Sequence, residues 1–153
     1  MVSTKCGFDS VPGGAAGQDL LTTNGPTLLV DIVFDPTFKS VPHPPPQVGV
    51  GRIHALVDTG AVESCIDSVL AAQLNLPVID RTKISGSYGS HVVNVHLAQI
   101  FVPSLNSWLY GKFAAVHLAA GGQWHRALIG RTFLQHFTMI YEGRTGTVVI
   151  HND

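Results

Sequence analysis

The sequence predicts one domain that is mostly β-structure and closes into a barrel-like or sandwich-like shape. Its apolar residues fall mainly in short runs rich in Val, Ile, Leu and Phe, which favour strands. Turns containing Gly or Pro separate these runs, and only two segments show a short helical pattern. With 153 residues, 45% of them hydrophobic, the chain can bury a sizeable single core.

The N-terminal third predicts an arm, two strands and a long loop. Residues 1–23 are rich in Gly, Ser, Ala and Thr without a period, which predicts a flexible arm before a domain spanning residues 24–153. The runs T-L-L-V-D-I-V-F (27–34) and V-G-V-G-R-I-H-A-L-V (48–57) predict strands. The proline-rich segment 35–47 between them cannot join a ladder, so it predicts a surface loop.

The middle of the chain predicts a strand, a helix and a hairpin. Residues 63–66 predict a short strand, and residues 67–77 a short helix with Asp67 as its N-cap. Two strand-like runs in residues 83–102 flank the small tip S-G-S-Y-G-S (85–90), which is typical of a β-hairpin with a mobile tip.

The C-terminal third predicts two further strands, a second helix and a closing hairpin. Residues 107–119 predict a strand bent at Gly111, and residues 126–130 a buried strand. Residues 131–137 predict a short helix, and residues 138–151 a hairpin that turns near E-G-R-T-G.

Charge and cysteine content exclude several classes of protein. The net charge is −1 without a Lys/Arg-rich block, so we expect no nucleic-acid partner. Cys6 and Cys65 form no C-x-x-C pair; two free thiols in a reducing compartment are the simpler interpretation, with one disulfide left open. No secretory signal and no run of about 20 apolar residues appears. We therefore expect a cytoplasmic protein without a membrane partner, or a soluble fragment of a longer chain.

Two motifs about 70 residues apart carry the chemistry. In A-L-V-D-T-G-A (55–61) an apolar strand delivers Asp58 into a small-residue turn, and in A-L-I-G-R-T-F-L (127–134) an apolar strand leads through Gly into a helix. Two carboxylates that share one proton can supply both a base that activates water and an acid that protonates a leaving group. The chain has one D-T-G and no D-S-G. A two-fold dimer would supply the second carboxylate, since a residue near the axis meets its own mate.

Taken together, residues 26–151 resemble the retropepsin-like (retroviral-type, clan AA) aspartic proteases. The resemblance implies a single-lobe acid protease fold with a flap hairpin, active as a homodimer on extended peptide or protein substrates, without metal or organic cofactor. It implies that Asp58 is catalytic and that Thr59 hydrogen-bonds across the dimer axis. Gly60 lets backbone approach the carboxylates without a Cβ in the way. The hairpin ending is closer to cellular and bacterial single-domain relatives than to viral ones.

The resemblance also implies where substrate binds. The hairpin tip resembles the flap that closes over a substrate, which would lie extended as an added strand. Arg126 shares a strand face with Leu128 by alternation and is predicted at a pocket rim. The predicted substrate-binding residues are Leu56, Ala61, Ile84, Gly86, Ser87, Tyr88, Gly89, Arg126 and Leu128.

One position departs from the usual retroviral pattern, and another distinguishes the chain from pepsin-like enzymes. Retroviral enzymes often place an acidic residue after D-T-G-A that pairs with the later Arg, whereas this chain has Val62 and keeps Arg131. We expect Arg131 to pair with Glu63, to pair with a partner chain, or to face solvent. Ala61 stands where pepsin-like enzymes usually carry Ser and retroviral enzymes carry Ala. The missing hydroxyl removes a hydrogen bond to the ionised carboxylates, which predicts activity at milder acidity.

Other interpretations remain open at the level of sequence. Asp58 could be a turn aspartate without chemistry, and the domain could be a non-catalytic dimerisation or peptide-binding module. His91 and His96 are five residues apart, on opposite faces of a strand, which disfavours a metal site. Cys65 has no obvious paired base and is interpreted as a structural thiol. The aromatic residues Trp108, Trp124 and Phe133 are expected in the core.

Overall fold

The computed structural model describes residues 1–36, 50–86 and 89–152. Most of the proline-rich loop, together with Ser87 and Tyr88 of the hairpin tip, lies outside the described residues. The strands within these ranges are β1 (Val2–Lys5), β2 (Thr27–Val33), β3 (Val50–Val57), β4 (Cys65–Asp67), β5 (Val78–Gly86), β6 (Gly89–Val102), β7 (Ser107–Val116), β8 (Ala127–Ile129), β9 (Thr138–Glu142) and β10 (Thr147–Asn152). The helices are α1 (Gly17–Asn24), α2 (Ser68–Gln73) and α3 (Arg131–Leu134), with one 3₁₀ turn at Pro103–Leu105.

The strands form two sheets, which confirms the prediction of a mostly-β domain. The larger sheet has the order β2-β3-β8-β4-β7-β6-β5, and β2 also pairs with β6. That extra pairing brings the two sides of the sheet together and closes it in a barrel-like manner. The smaller sheet has the order β1-β10-β9.

The centre of the larger sheet positions the D-T-G turn. Strands β3 and β8 run parallel, with Ala55 opposite Ala127 and Val57 opposite Ile129. Because parallel strands end at the same edge of a sheet, the segments after Val57 and Ile129 emerge side by side. These two segments carry the two motifs that the sequence singles out.

Alternation along the central strands fixes which side chains enter the core. Ala55 and Val57 of β3, and Ala127 and Ile129 of β8, are all buried. The residue between each pair, Leu56 or Leu128, is half-buried on the other face. The closed sheet therefore keeps one face in the core and presents the other beside Asp58.

The predicted helix cap at Asp67 is confirmed, and the same carboxylate also accepts hydrogen bonds from the turn after β7. One carboxylate oxygen of Asp67 accepts a hydrogen bond from the Leu70 N–H at 3.2 Å. The other oxygen accepts from the N–H groups of Leu118 and Ala119 at 3.1 and 2.9 Å. Asp67 is only 1% exposed. It thus joins α2 to the turn after β7.

The structure corrects the expectation of a flexible arm over residues 1–23. Strand β1 pairs with β10, and the Cys6 N–H donates to the Val148 carbonyl at 2.9 Å. Helix α1 was not predicted from the sequence, and it buries Leu21. The glycines here serve close backbone approach, since a Cβ at Gly7 would collide with the Gly146 carbonyl. The predicted domain boundary at residue 24 stays a prediction.

Within the described ranges, every helix is too short or too polar to cross a bilayer.

Replacing Asp67 with Ala should lower the free energy of unfolding by about 2–4 kcal/mol, because three backbone N–H groups lose a charged acceptor inside the protein. Urea denaturation measures this change. Asp80→Ala is the matched control, since Asp80 is exposed and its carboxylate accepts only from the adjacent Arg81 N–H among the described contacts. Equal destabilisation by the two substitutions would contradict this account.

Candidate active site

Asp58 lies immediately after the last residue of β3, where the strand leaves the core. The N–H of Val57 donates to the Pro26 carbonyl at 2.8 Å, and the N–H of Asp58 donates to the Ile129 carbonyl at 2.9 Å. The Asp58 side chain is half-buried. The backbone of Asp58 is therefore fixed from both sides while its carboxylate stays accessible.

The turn that follows orients this carboxylate. The Gly60 N–H donates to Oδ1 of Asp58 at 2.9 Å, and the Ala61 N–H donates to the Asp58 carbonyl at 3.2 Å. A Cβ at Gly60 would lie only 3.1 Å from Oδ1. Glycine thus allows close approach to the carboxylate, as the sequence suggested for this position. Thr59 and Gly60 are both exposed, and the hydrogen bond of Thr59 across a dimer axis stays a prediction.

The second motif holds the D-T-G loop in place. The N–H groups of Arg131 and Thr132 donate to the carbonyls of Ala61 and Val62 at 2.9 and 3.0 Å. The Gly130 N–H donates to the buried Ser64 hydroxyl at 2.9 Å. A Cβ at Gly130 would lie 2.8 Å or less from the Val62 carbonyl oxygen and from Glu63 backbone atoms. Gly130 is therefore required for the two segments to pack this closely.

Arg131 has a partner that the sequence alternatives did not include. Its guanidinium Nη1 donates to the Thr59 carbonyl at 2.6 Å, while the side chain remains exposed. The structure thus ties Arg131 to the D-T-G loop itself, in place of the pairing with Glu63 considered from sequence. The arginine therefore supports the loop through a backbone carbonyl of that loop.

A row of apolar side chains lies beside Asp58 on the face opposite the core. Leu56 pairs in register with Leu128, and Leu128 pairs with Cys65 of β4. All three are half-buried, as is Ala61. The sequence predicted Leu56, Ala61 and Leu128 as substrate-binding residues. The structure places Leu56 beside Leu128, and Ala61 in the turn after Asp58. Their contact with substrate stays a prediction.

Cys65 was not among the predicted site residues, although it belongs to this row. Burial, together with the weaker effect of the negative charges of Asp58 and Glu63, raises the pKa of the Cys65 thiol to about 11. The thiol is therefore protonated at neutral pH and is a poor nucleophile. This agrees with its interpretation as a structural thiol, and it shows that Cys65 lies close enough to Asp58 to sense its charge.

The Gly-tipped segment forms the predicted hairpin. Strands β5 and β6 pair antiparallel up to Gly86 opposite Gly89, and Ile84 is half-buried opposite His91. The predicted tip residues Ser87 and Tyr88 lie outside the described residues. The hairpin is confirmed, whereas its action as a flap and the contacts of Ile84, Gly86 and Gly89 with substrate stay predictions.

The Arg126 side chain donates hydrogen bonds to the loop that precedes it. Its Nη1 donates to the carbonyls of Gln123, Trp124 and His125 at 2.7, 3.3 and 3.3 Å. Its predicted place at a pocket rim stays a prediction.

Trp124 was expected in the core, but it is 45% exposed, and its ring centroid lies 4.1 Å from that of His54.

His125 is a buried residue of this region that the sequence analysis missed. Its Nε2 lies 2.8 Å from the Thr27 hydroxyl, which donates its own proton to the Gly25 carbonyl at 3.0 Å. Nε2 must therefore carry a proton, and Nδ1 accepts from the Gln123 amide at 2.9 Å. Burial lowers the pKa of His125, and the nearby His54 lowers it further. His125 thus holds its loop against the turn that precedes β2.

Within the described ranges, His, Cys, Asp and Glu side chains form no group of three or more that could hold a metal ion.

No protein-family model matches the sequence, and a search of curated proteins finds no match either. Among solved structures, the chain is similar to the EIAV protease complexed with the inhibitor HBY-793, with 18% identity over 72% of this chain and 85% of that chain and a TM-score of 0.47. A likeness this distant carries no argument about function, which must come from the site itself.

Replacing Gly130 with Ala should lower the free energy of unfolding by about 1–3 kcal/mol, because the new methyl group would push the D-T-G loop away from β8. Urea denaturation of the purified variant measures the loss. Gly143→Ala is the control, since a Cβ there would meet only the Tyr141 ring, at 3.4 Å. A Gly130→Ala variant as stable as the control would show that the close approach is not needed.

The pKa of His125 predicts how stability depends on pH. The unfolded chain binds a proton at this residue near the ordinary value of 6.5, whereas the folded chain binds it only at lower pH. The contribution of His125 is therefore complete above about pH 6.5 and is lost as the pH falls below it. Urea denaturation at fixed protein concentration, at about pH 7.5 and about pH 5.5, should show this loss in wild type and in the exposed-site control His136→Asn. His125→Asn should show a smaller pH dependence, and an unchanged dependence would contradict the assignment.

Proposed function

We propose that the chain is an aspartic endopeptidase that hydrolyses peptide bonds as a homodimer, with one Asp58 from each copy. The observation that carries the proposal is the Asp58 loop itself. A half-buried, accessible carboxylate ends a core strand and is oriented by the Gly60 N–H. Three further backbone hydrogen bonds from Gly130, Arg131 and Thr132 hold the loop that bears it. The arrangement holds an accessible carboxylate in one position, as acid–base catalysis requires.

The chemistry requires a second carboxylate near the first. Two carboxylates in contact cannot both be ionised, so one keeps a proton while the other is charged. The charged one removes a proton from water as that water attacks the peptide carbonyl, and the protonated one donates to the carbonyl oxygen. Protons then pass to the departing nitrogen as the C–N bond breaks. The fixed backbone around Asp58 supports this function because positioning accounts for much of the rate.

The second carboxylate is proposed to come from another copy of the chain. The sequence holds one D-T-G, and Thr59 and Gly60 are exposed at the outer side of the turn. A two-fold axis next to this turn would bring two Asp58 residues together without a second motif. The isolated chain would then be inactive.

The substrate is proposed to be an extended peptide that lies between the β5–β6 hairpin and the row of Leu56, Leu128 and Cys65. Main-chain hydrogen bonds would hold the peptide as an added strand, and the apolar row would favour apolar side chains near the scissile bond. Arg126, at the start of β8, would lie at the rim of this surface.

Asp58→Asn should reduce peptide cleavage by roughly 1000-fold or more while leaving fold and dimer intact, because Asn keeps an oxygen for the Gly60 N–H but cannot exchange the proton. Cleavage of a peptide library at mildly acidic pH, read by mass spectrometry, measures the change. Wild-type cleavage should also be sensitive to a pepstatin-type inhibitor.

Asp80→Asn is the control for this measurement, since Asp80 is an exposed carboxylate on the hairpin. If the folded, dimeric wild type cleaves no peptide in the library, the competing interpretation of a non-catalytic peptide-binding dimer replaces the proposal. Cleavage by Asp58→Asn at the wild-type rate would exclude Asp58 as the catalytic group.

A further inference from the structure

A cavity of about 540 Å³ lies between helix α2, the β5–β6 hairpin and the end of β7, apart from the candidate active site. Within the described ranges, the polar side chains that line it are Ser68, Asn75, Arg81, Asn94, His96 and His117, and none of them is acidic. The other lining residues are all alanine, valine or leucine. The cavity thus combines an apolar wall with groups that donate hydrogen bonds, and its volume suits a small organic molecule.

A β-bulge brings Arg81 to this cavity. Val78 of β5 pairs with His96 of β6, and Arg81 pairs with Asn94, but the register shifts between Val78 and Asp80. Residues three apart on a regular strand lie on opposite faces, whereas the extra residue of a bulge puts Val78 and Arg81 on the same face. Directly opposite residues of an antiparallel pair share a face. The side chains of Arg81, Asn94 and His96 therefore lie together on the cavity side of the hairpin.

The charge of Arg81 is available to a ligand. Among the described residues, its contact is made by the backbone N–H, which donates to Oδ1 of Asp80 at 2.7 Å, and its guanidinium pairs with no carboxylate. The two acidic residues nearest to the lining in sequence are engaged elsewhere. Asp67 is buried and accepts from three backbone N–H groups, and Asp80 lines a different cavity. A guanidinium in this setting matches the oxygens of a phosphate or a carboxylate.

His96 adds a buried ring nitrogen that has no partner among the described residues. The side chain is 5% exposed, and its Nδ1 lies 3.0 Å from the Leu76 carbonyl, so Nδ1 carries the proton. The other nitrogen, Nε2, makes no hydrogen bond within the described part of the chain, and His96 lines the cavity. Nε2 accepts from an acidic O–H of a ligand, or takes up that proton and donates to the anion.

The wall formed by α2 is held in place without a ligand. The Ser68 hydroxyl lies 2.8 Å from Nδ1 of His117, at the end of β7. The Asp67 carboxylate also joins α2 to the turn after β7, through Leu118 and Ala119. The cavity is therefore preformed on this side, as is usual for sites that bind small molecules.

We propose that this cavity binds a small organic anion, a phosphate monoester or a carboxylate that carries an apolar body. The charged oxygens lie at Arg81 and Asn94 with His96 beside them, and the carbon body lies against α2 and Val92. The inference does not rest on the proposed function, because the lining contains neither Asp58 nor the row of Leu56, Leu128 and Cys65. Either proposal can fail while the other stands.

The first test compares hexyl phosphate, hexanoate and the neutral hexanamide in titrations followed by backbone amide NMR. At least one of the two anions should bind about tenfold or more tightly than hexanamide, since a charged head group gains stronger hydrogen bonds from Arg81. The largest shifts should fall on α2, Arg81 and Asn94, and the tighter anion identifies the head group. Equal affinity for all three compounds, no binding, or shifts confined to other parts of the chain overturns the proposal.

The second test removes the charge of the site. Arg81→Gln should raise the dissociation constant of the tighter anion by about tenfold or more. Arg144→Gln is the matched control, because Arg144 is an exposed arginine in the turn between β9 and β10, outside the cavity lining. It should leave the dissociation constant unchanged. An equal effect of the two substitutions, or no effect of Arg81→Gln, overturns the proposal.

The third test fills the cavity from the surface of α2. Ala72 is exposed and lines the cavity, so Ala72→Leu should weaken binding of the same anion while the protein stays folded. Gln73→Leu is its control, since Gln73 is also exposed on α2 but lies outside the lining. Urea denaturation confirms that each variant is folded. Unchanged binding by Ala72→Leu, or equal weakening by Gln73→Leu, places the ligand elsewhere and overturns the proposal.

Discussion

The parallel pairing of β3 with β8 is the interaction on which the candidate site depends. It ends two core strands at the same edge, so that the segment after Val57 meets the segment after Ile129. Gly130 then allows the backbones to approach within a distance that any side chain would prevent. The hydrogen bonds from Arg131 and from the Gly130 N–H follow from that approach. This arrangement holds Asp58 together with the hydrogen bonds of its own turn, which explains why two motifs so far apart in sequence act as one unit.

Features set by local pattern could be predicted from the sequence. Alternating apolar residues predicted β3 and β8, the Asp67 carboxylate predicted the start of α2, and Gly-containing turns predicted both hairpins. The end of β3 at Asp58 was also predictable, because an acidic residue and two small ones after an apolar run rarely continue a strand. These elements depend on interactions between residues close in sequence, so the sequence carries their signal directly.

Features that depend on distant residues could not be predicted. The N-terminal glycines indicate flexibility by composition, yet Gly7 is needed where β1 passes close to Gly146. The contact between His125 and Thr27 joins residues 98 apart, and no spacing rule relates them. Arg131 was expected to pair with Glu63, to pair with a partner chain or to face solvent; its side chain is exposed and also donates to a backbone carbonyl of the loop that it supports. A single sequence indicates side-chain chemistry. Tertiary packing decides which backbone groups come within hydrogen-bond distance of those side chains.

The proposed active unit is a pair of chains, since each chain provides one Asp58 and one exposed D-T-G turn. The most direct measurement is peptide cleavage after wild-type chains are refolded together with Asp58→Asn chains. If both carboxylates are needed, an equal mixture should retain about half, and a ninefold excess of the variant about one tenth, of the activity of the same amount of wild type alone, because mixed dimers lack the pair. Activity that depends only on the amount of wild-type chain, whatever the excess of variant, would contradict the account.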